Sequence, residues 1–150
     1  MIFLKRSTEA FDMIETKMAR VLENTIKGSR MKLVRVETGM TALGMPDTYL
    51  YGGGGIECWI ELKHIQRLRD INVIPWRPGQ ILRQKGMADR GVAVWLLISD
   101  DETDIFYFIK GYNIQKEFTS DFLLRRTYKL HFRMLTYETF ELILSAQKKN

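Results

Sequence analysis

The chain has 150 residues, and its 23 Lys+Arg against 18 Asp+Glu leave a net charge of +5. Apolar residues make up 45% and charged residues 27%, the balance of a packed domain and not of a disordered chain. A single cysteine, Cys58, excludes a disulfide scaffold and a multi-cysteine zinc site, and two histidines, His64 and His131, are too few for a His-rich metal cage.

No apolar run approaches the roughly 20 residues of a membrane span, and no extended apolar region follows Lys5-Arg6. The expected compartment is therefore cytoplasmic. Ser7 or Thr8 can cap a first helix, with Glu9 in its first turn. Phe11, Ile14, Met18, Leu22 and Ile26 then recur at helical spacing as one apolar stripe. Lys27-Gly28-Ser29 stops this helix, and Met31 to Val36 reads as a short strand. Two further extended runs, from Pro46 to Tyr51 and from Ile56 to His64, flank Gly52 to Gly55 as a hairpin. Residues 65 to 78 read as loop, with Pro75 and Pro78 as punctuation, and Gly79 to Arg90 as a helix ended by Gly91. Val92 to Ile98 is a continuous apolar run, the pattern of a strand buried on both faces. Ile105 to Ile109 is another strand, and Ser120 to Lys129 and Thr136 to Gln147 are expected helices. The order predicts an α/β domain, a small mixed β-sheet flanked by helices. One domain is expected over 1–150, with a core of about 7–110 and a C-terminal extension of about 111–150.

The chemistry gathers in the hairpin. Strand alternation puts Glu57, Trp59, Glu61 and Lys63 on one face, and Cys58, Ile60, Leu62 and His64 on the other. Asp47, on the preceding strand, can lie beside Glu61 and Lys63. Two carboxylates at one spot suit a hard cation such as Mg²⁺, which can activate water and offset phosphate charge in an in-line displacement. An exposed Glu-Lys pair on an edge strand, worth little energetically, is the other reading of this triplet.

Pro46-Asp47, a glycine-containing turn, and a strand ending Ile60-Glu61-Leu62-Lys63 together resemble the PD-(D/E)XK nuclease motif. Gly44-Met45-Pro46-Asp47 resembles the Gly-Val-Pro-Asp start of the motif in VRR-NUC-type and phage Holliday-junction-resolvase-like nucleases. Gln80, opening the following helix, resembles a glutamine that these families often carry there. The resemblance spans roughly residues 7 to 110 and implies a restriction-endonuclease-like core. It implies Asp47 and Glu61 as metal ligands, Lys63 as the catalytic lysine, and Gln80 as a supporting or phosphate-contacting residue. A carboxylate from the first helix is implied as well. Glu15 shares the packed face with Phe11 and Met18, and Glu9 is the alternative. Glu37 could also reach the site. The two acids stand 14 positions apart, a longer hairpin than the family pattern, which the glycines can absorb.

Arg67, Arg69, Arg77, Arg83 and Lys85 follow the motif as a basic cluster, with Arg90 beyond them. They read as DNA-binding or as a solvated face. Trp76 can stack on a base or anchor its loop. Arg125-Arg126 and Lys129 form a second basic patch, and His64 and Cys58 read as structural. A P-loop is not expected at Gly52 to Gly55, which lack a following Gly-Lys-Ser/Thr and helix.

The resemblance implies a Mg²⁺-dependent DNA endonuclease, with Mn²⁺ able to substitute. Branched DNA such as a Holliday junction is the implied substrate, and a homodimer the implied assembly. The host cytoplasm would be bacterial if the chain is phage-encoded. The alternatives are a nuclease for flap, single-stranded or duplex DNA, or a non-catalytic nucleic-acid-binding module on the same fold.

Overall fold

The computed structural model describes residues 17–36 and 44–146. Residues 17–26 are helical (α1), and Met18, Leu22 and Ile26 of the expected stripe are buried. The strands are β1 (Lys32–Arg35), β2 (Thr48–Gly52), β3 (Ile56–Ile65), β4 (Ile71–Val73), β5 (Val94–Asp100), β6 (Ile105–Lys110), β7 (Glu117–Thr119) and β8 (Tyr128–His131). The remaining helices are α2 (Gln80–Asp89), α3 (Ser120–Arg125) and α4 (Tyr137–Ser145).

Six strands form one mixed sheet in the order β1-β2-β3-β5-β6-β8. β3 and β5 are parallel, so the chain must cross over between them, and α2 lies in that crossover. All other neighbours in this sheet are antiparallel. The central strand β5 is buried along its whole length, as its unbroken apolar run predicts. Helices cover both sides. Cys58, Ile60 and Leu62 of β3 join a core with Met18, Leu22 and Ile26 of α1 and Phe140, Ile143 and Leu144 of α4. Leu96 and Ile98 of β5 face the other way, into a second core with Leu123 of α3 and the half-buried Ile81 and Met87 of α2.

Two expectations are corrected. The stretch 65–78 holds β4, which pairs with β7 as a separate two-stranded sheet. The helix expected over Ser120 to Lys129 stops at Arg125, and Tyr128–His131 becomes the edge strand β8 against β6. The residues beyond Lys110 thus complete the main sheet and, through α4, its core. α4 starts as expected, its N-cap Thr136 accepting the Thr139 backbone N–H. Among the described residues no helix is long and apolar enough to cross a membrane.

Candidate active site

β3 enters the sheet as an alternating strand, and its two faces meet different helices. Cys58, Ile60 and Leu62 contribute to the apolar core. Glu61 and Lys63 point to the side covered by α2, only 2% and 4% exposed. Two opposite charges held this far from water require close partners, and α2 supplies most of them.

Gln80 and Gln84 stand one helical turn apart, on one face of α2. Both donate to Glu61 Oε1, from Gln80 Nε2 at 3.2 Å and from Gln84 Nε2 at 2.8 Å. The Lys63 ammonium donates to the Pro75 carbonyl at 3.0 Å and to Gln80 Oε1 at 3.1 Å, and stands 3.8 Å from Glu61 Oε2. It also lies 5.3 Å from the centre of the Trp76 ring, within reach of a cation–π attraction. Gln80 Oε1 accepts the Arg77 backbone N–H at 2.8 Å as well. One glutamine therefore ties together the start of its helix, the lysine and the glutamate.

Asp47 is brought in by register. Thr48 pairs with Ile60 across β2 and β3, and one step further Asp47 stands opposite Glu61. Cβ atoms of directly opposed residues lie about 4.5–5.5 Å apart. Asp47 Oδ1 accepts the Thr48 hydroxyl at 3.0 Å, and Arg35 of β1 approaches Oδ2 at 4.0 Å. The preceding Gly44 docks on α2. Its carbonyl accepts from Gln84 Nε2 at 3.3 Å, and a Cβ added to it would stand 2.6 Å from the Gly79 carbonyl oxygen. With φ at +86° as well, this position favours glycine.

Sequence reasoning points to Asp47, Glu61, Lys63 and Gln80; hydrogen bonds and an ion pair join the last three, and Asp47, just before β2, accepts from Thr48 and is approached by Arg35. The same reasoning misses Gln84 and Arg35. The signal for Gln84 is its i+4 spacing from Gln80. Arg35 is placed by the β1–β2 pairing, which nothing local announces. Glu9, Glu15 and Glu37 lie outside the described residues.

Of the basic cluster, Arg67 and Arg69 are exposed on the loop after β3, and Arg77 is exposed just before α2. Arg83 is exposed on α2 and Lys85 is half-buried there. Trp76 is half-buried and donates its indole N–H to the Gln115 carbonyl at 2.9 Å, which anchors its loop.

His64 lies on the opposite face, its Nδ1 3.3 Å from Asp101 Oδ2. Burial pushes the Cys58 thiol up to about 12, with the Glu57 charge adding to it, so the sulfur is not a nucleophile at neutral pH.

Asp47 and Glu61 offer carboxylate oxygens, the donor type that Mg²⁺ prefers. Among the described residues no group of three or more Asp, Glu, His or Cys is placed to hold an ion. Water completes most Mg²⁺ shells, so a pair of acids fits this cation in donor type and number.

Neither a protein-family model nor a curated protein matches the sequence. Among solved structures, the chain is similar to Hjc of Archaeoglobus fulgidus, a Holliday junction resolvase from an archaeal hyperthermophile. The TM-score is 0.53 and the identity 13%, over 77% of this chain and 91% of that one. It is also similar to the bacterial homing endonuclease I-Ssp6803I, with a TM-score of 0.44 and 16% identity, over 93% of this chain and 94% of that one. The likeness to the archaeal protein shows a restriction-endonuclease-like, PD-(D/E)XK-type fold, with β2, β3, α2 and β5 in the order that the motif implies.

Proposed function

We propose that the chain is a single-domain, metal-dependent DNA endonuclease that hydrolyses phosphodiester bonds in branched DNA. The observation that carries this reading is the buried Glu61–Lys63 pair, opposite Asp47 and held by two glutamines. Burying this pair costs desolvation, and an apolar pair would fill the space at no such cost. Chemistry at the site gives a reason for it.

Asp47 and Glu61 would hold Mg²⁺, or Mn²⁺ in its place, with a first-helix carboxylate from Glu15 or Glu9 as a further ligand. The cation supplies Lewis acidity toward the phosphate and a more acidic bound water. Lys63 is fixed by Pro75 and Gln80, so its charge is preorganised to meet the negative charge that develops on the phosphate. Gln80 orients Lys63 and Glu61 together. Arg67, Arg69, Arg77, Arg83 and Lys85 would meet backbone phosphates around the site, with Trp76 holding their loop.

The branched substrate follows the resolvase likeness. Paired cuts across a junction require two active sites, hence a homodimer. The test is cleavage of a synthetic four-way junction beside matched duplex and single-stranded DNA, with Mg²⁺ or with EDTA, and with Glu61→Gln as control. Paired, Mg²⁺-dependent nicks confined to the junction are expected. Cutting of the other DNAs would reject the substrate while keeping the nuclease, and equal products from Glu61→Gln and wild type would reject the site.

A further inference from the structure

The sheet face that carries Asp47 and Glu61 continues toward the hairpin turn as a row of aromatic rings. On β2, Tyr49 and Tyr51 follow Asp47 in alternation. On β3, Trp59 and Glu57 precede Glu61 in the same way. Tyr49 stands opposite Trp59 and Tyr51 opposite Glu57. The Tyr49 and Tyr51 rings are stacked at 5.7 Å, and Tyr49 and Trp59 meet at 4.9 Å. Each pair of residues advances about 7 Å along the strands, so Trp59 and Tyr49 lie one such step from the two acids and Tyr51 lies two.

The row is only partly covered: Trp59 rests against the second core, and Tyr49 is half-buried. Tyr51 is 43% exposed and Tyr112, across the groove, is 41% exposed. A cleft of about 690 Å³ opens between the hairpin and the end of α2, lined by Tyr49, Glu57, Trp59, Asp89, Val92 and Tyr112. Aromatic cross-strand pairs stabilise a hairpin, but that role needs no open groove beside them.

The charges around the groove are sorted by strand. β1, the edge strand next to β2, places Lys32 opposite Tyr51 on the face of the rings, whereas Arg35, opposite Thr48 on the other face, reaches Asp47 at the end of the strand. Both are exposed to solvent. Inside the cleft stand two carboxylates, Glu57 and Asp89, with Glu57 accepting the Tyr49 hydroxyl. Phosphates are therefore favoured at the two ends of β1, by Lys32 beside Tyr51 and by Arg35 beside Asp47, and disfavoured within the cleft, whereas an uncharged ring with N–H donors at its edge suits both the tyrosine faces and the acids. Cations beside a ladder of rings, Tyr51 exposed and Tyr49 and Trp59 half-buried, are the arrangement that binds an unpaired strand.

We propose that this row is a track for an unpaired nucleic-acid strand, its bases stacked on Tyr51, Tyr49 and Trp59 and its phosphates on Lys32 and Arg35, leading to Asp47 and Glu61. The proposal deepens the nuclease reading and rests on it for the direction of the track. It specifies the substrate as a branch with a few unpaired nucleotides beside the cut.

The test separates the two readings. Binding is measured for the full chain in EDTA, by anisotropy of a short fluorescein-labelled oligothymidylate and of a matched duplex. Tyr51→Ala is expected to weaken binding of the single strand about tenfold and to change duplex binding less than twofold. Tyr51→Phe, which keeps the ring, is expected to bind the single strand like wild type. Single-strand affinity unchanged in Tyr51→Ala overturns the track, and so does equal loss in Tyr51→Phe. Cleavage of a forked DNA with Mg²⁺ is followed in parallel. Ring-dependent binding without cleavage keeps the track and removes the nuclease, and cleavage without ring dependence does the reverse.

Discussion

Cys58, Ile60 and Leu62 look from β3 into a dry core built with α1 and α4, whereas Glu61 and Lys63, each one residue away, look into a polar network under α2. Both faces are buried, yet they obey different rules. The dry face gains from area removed from water and from close packing. The polar face carries a desolvation cost that hydrogen bonds offset only in part. The first face should therefore govern folding and the second activity, and substitutions along this one strand can test the division.

The largest effect is expected on the dry side. Leu62 is fully buried and pairs with Leu97 across the parallel β3–β5 junction. Leu62→Ala should destabilise the fold by about 2–5 kcal/mol through lost burial and the cavity left behind. A urea or thermal melt measures this. A loss under 1 kcal/mol would mean that the core rearranges around the site, and the contrast between the faces would fail.

Glu61→Gln probes the adjacent residue on the other side. The side chain keeps its shape and an oxygen for the Gln80 and Gln84 amides, but Lys63 loses its counter-charge and keeps only the Pro75 and Gln80 acceptors, so the melt should fall, by less than in Leu62→Ala. Cleavage should fall by about 10²–10³-fold, as when one electrostatic element of a preorganised site is removed. A variant as unstable as Leu62→Ala would show that the pair serves the fold.

How far the two faces can be read in advance depends on the range of the contacts that make them. The alternation from Glu57 to His64 is local, and it separates Glu61 and Lys63 from Ile60 and Leu62 without knowledge of the fold. The unbroken run Val92 to Ile98 likewise marks β5, and Gly91 marks the end of α2. β4 and β7 are three residues each and pair across more than 40 positions, so neither carries a pattern of its own. β8 follows α3 after two residues, and its strand conformation comes from β6, not from Tyr128–His131 alone. In the site, Asp47, Glu61 and Lys63 are visible through their motif, and Gln80 through its place at the helix start. Gln84 sits on the same helical face, but a second glutamine at i+4 reads as an ordinary helix former until Glu61 is seen beneath it.

Gln84 sharpens the comparison, because it is fully buried and purely polar in function. Its amide links Glu61 to the Gly44 carbonyl, and its Oε1 has no hydrogen-bond partner among the described residues. Gln84→Leu would leave an acceptor on each side short of a donor, at about 1–3 kcal/mol. Thermal melts should show this loss. Cleavage titrated with Mg²⁺ should show a raised metal requirement, since the hydrogen bond that orients Glu61 is gone. A loss of stability with an unchanged metal requirement would assign Gln84 to the fold alone.

The smallest effect belongs to the dry face again and is read by pH. Burial raises the Cys58 thiol from 9.0 to about 12. Above pH 9 the unfolded chain loses this proton while the folded chain retains it, so the folded state binds more protons and stability falls as pH rises. The contribution is fully present below pH 9 and is lost progressively as pH climbs toward 12. At pH 10 the loss from this one group is about 1 kcal/mol. Cys58→Ala should flatten that part of the stability profile, and the native wild-type thiol should resist alkylation at pH 8. Rapid alkylation without unfolding would place water on the face that the core is meant to keep dry.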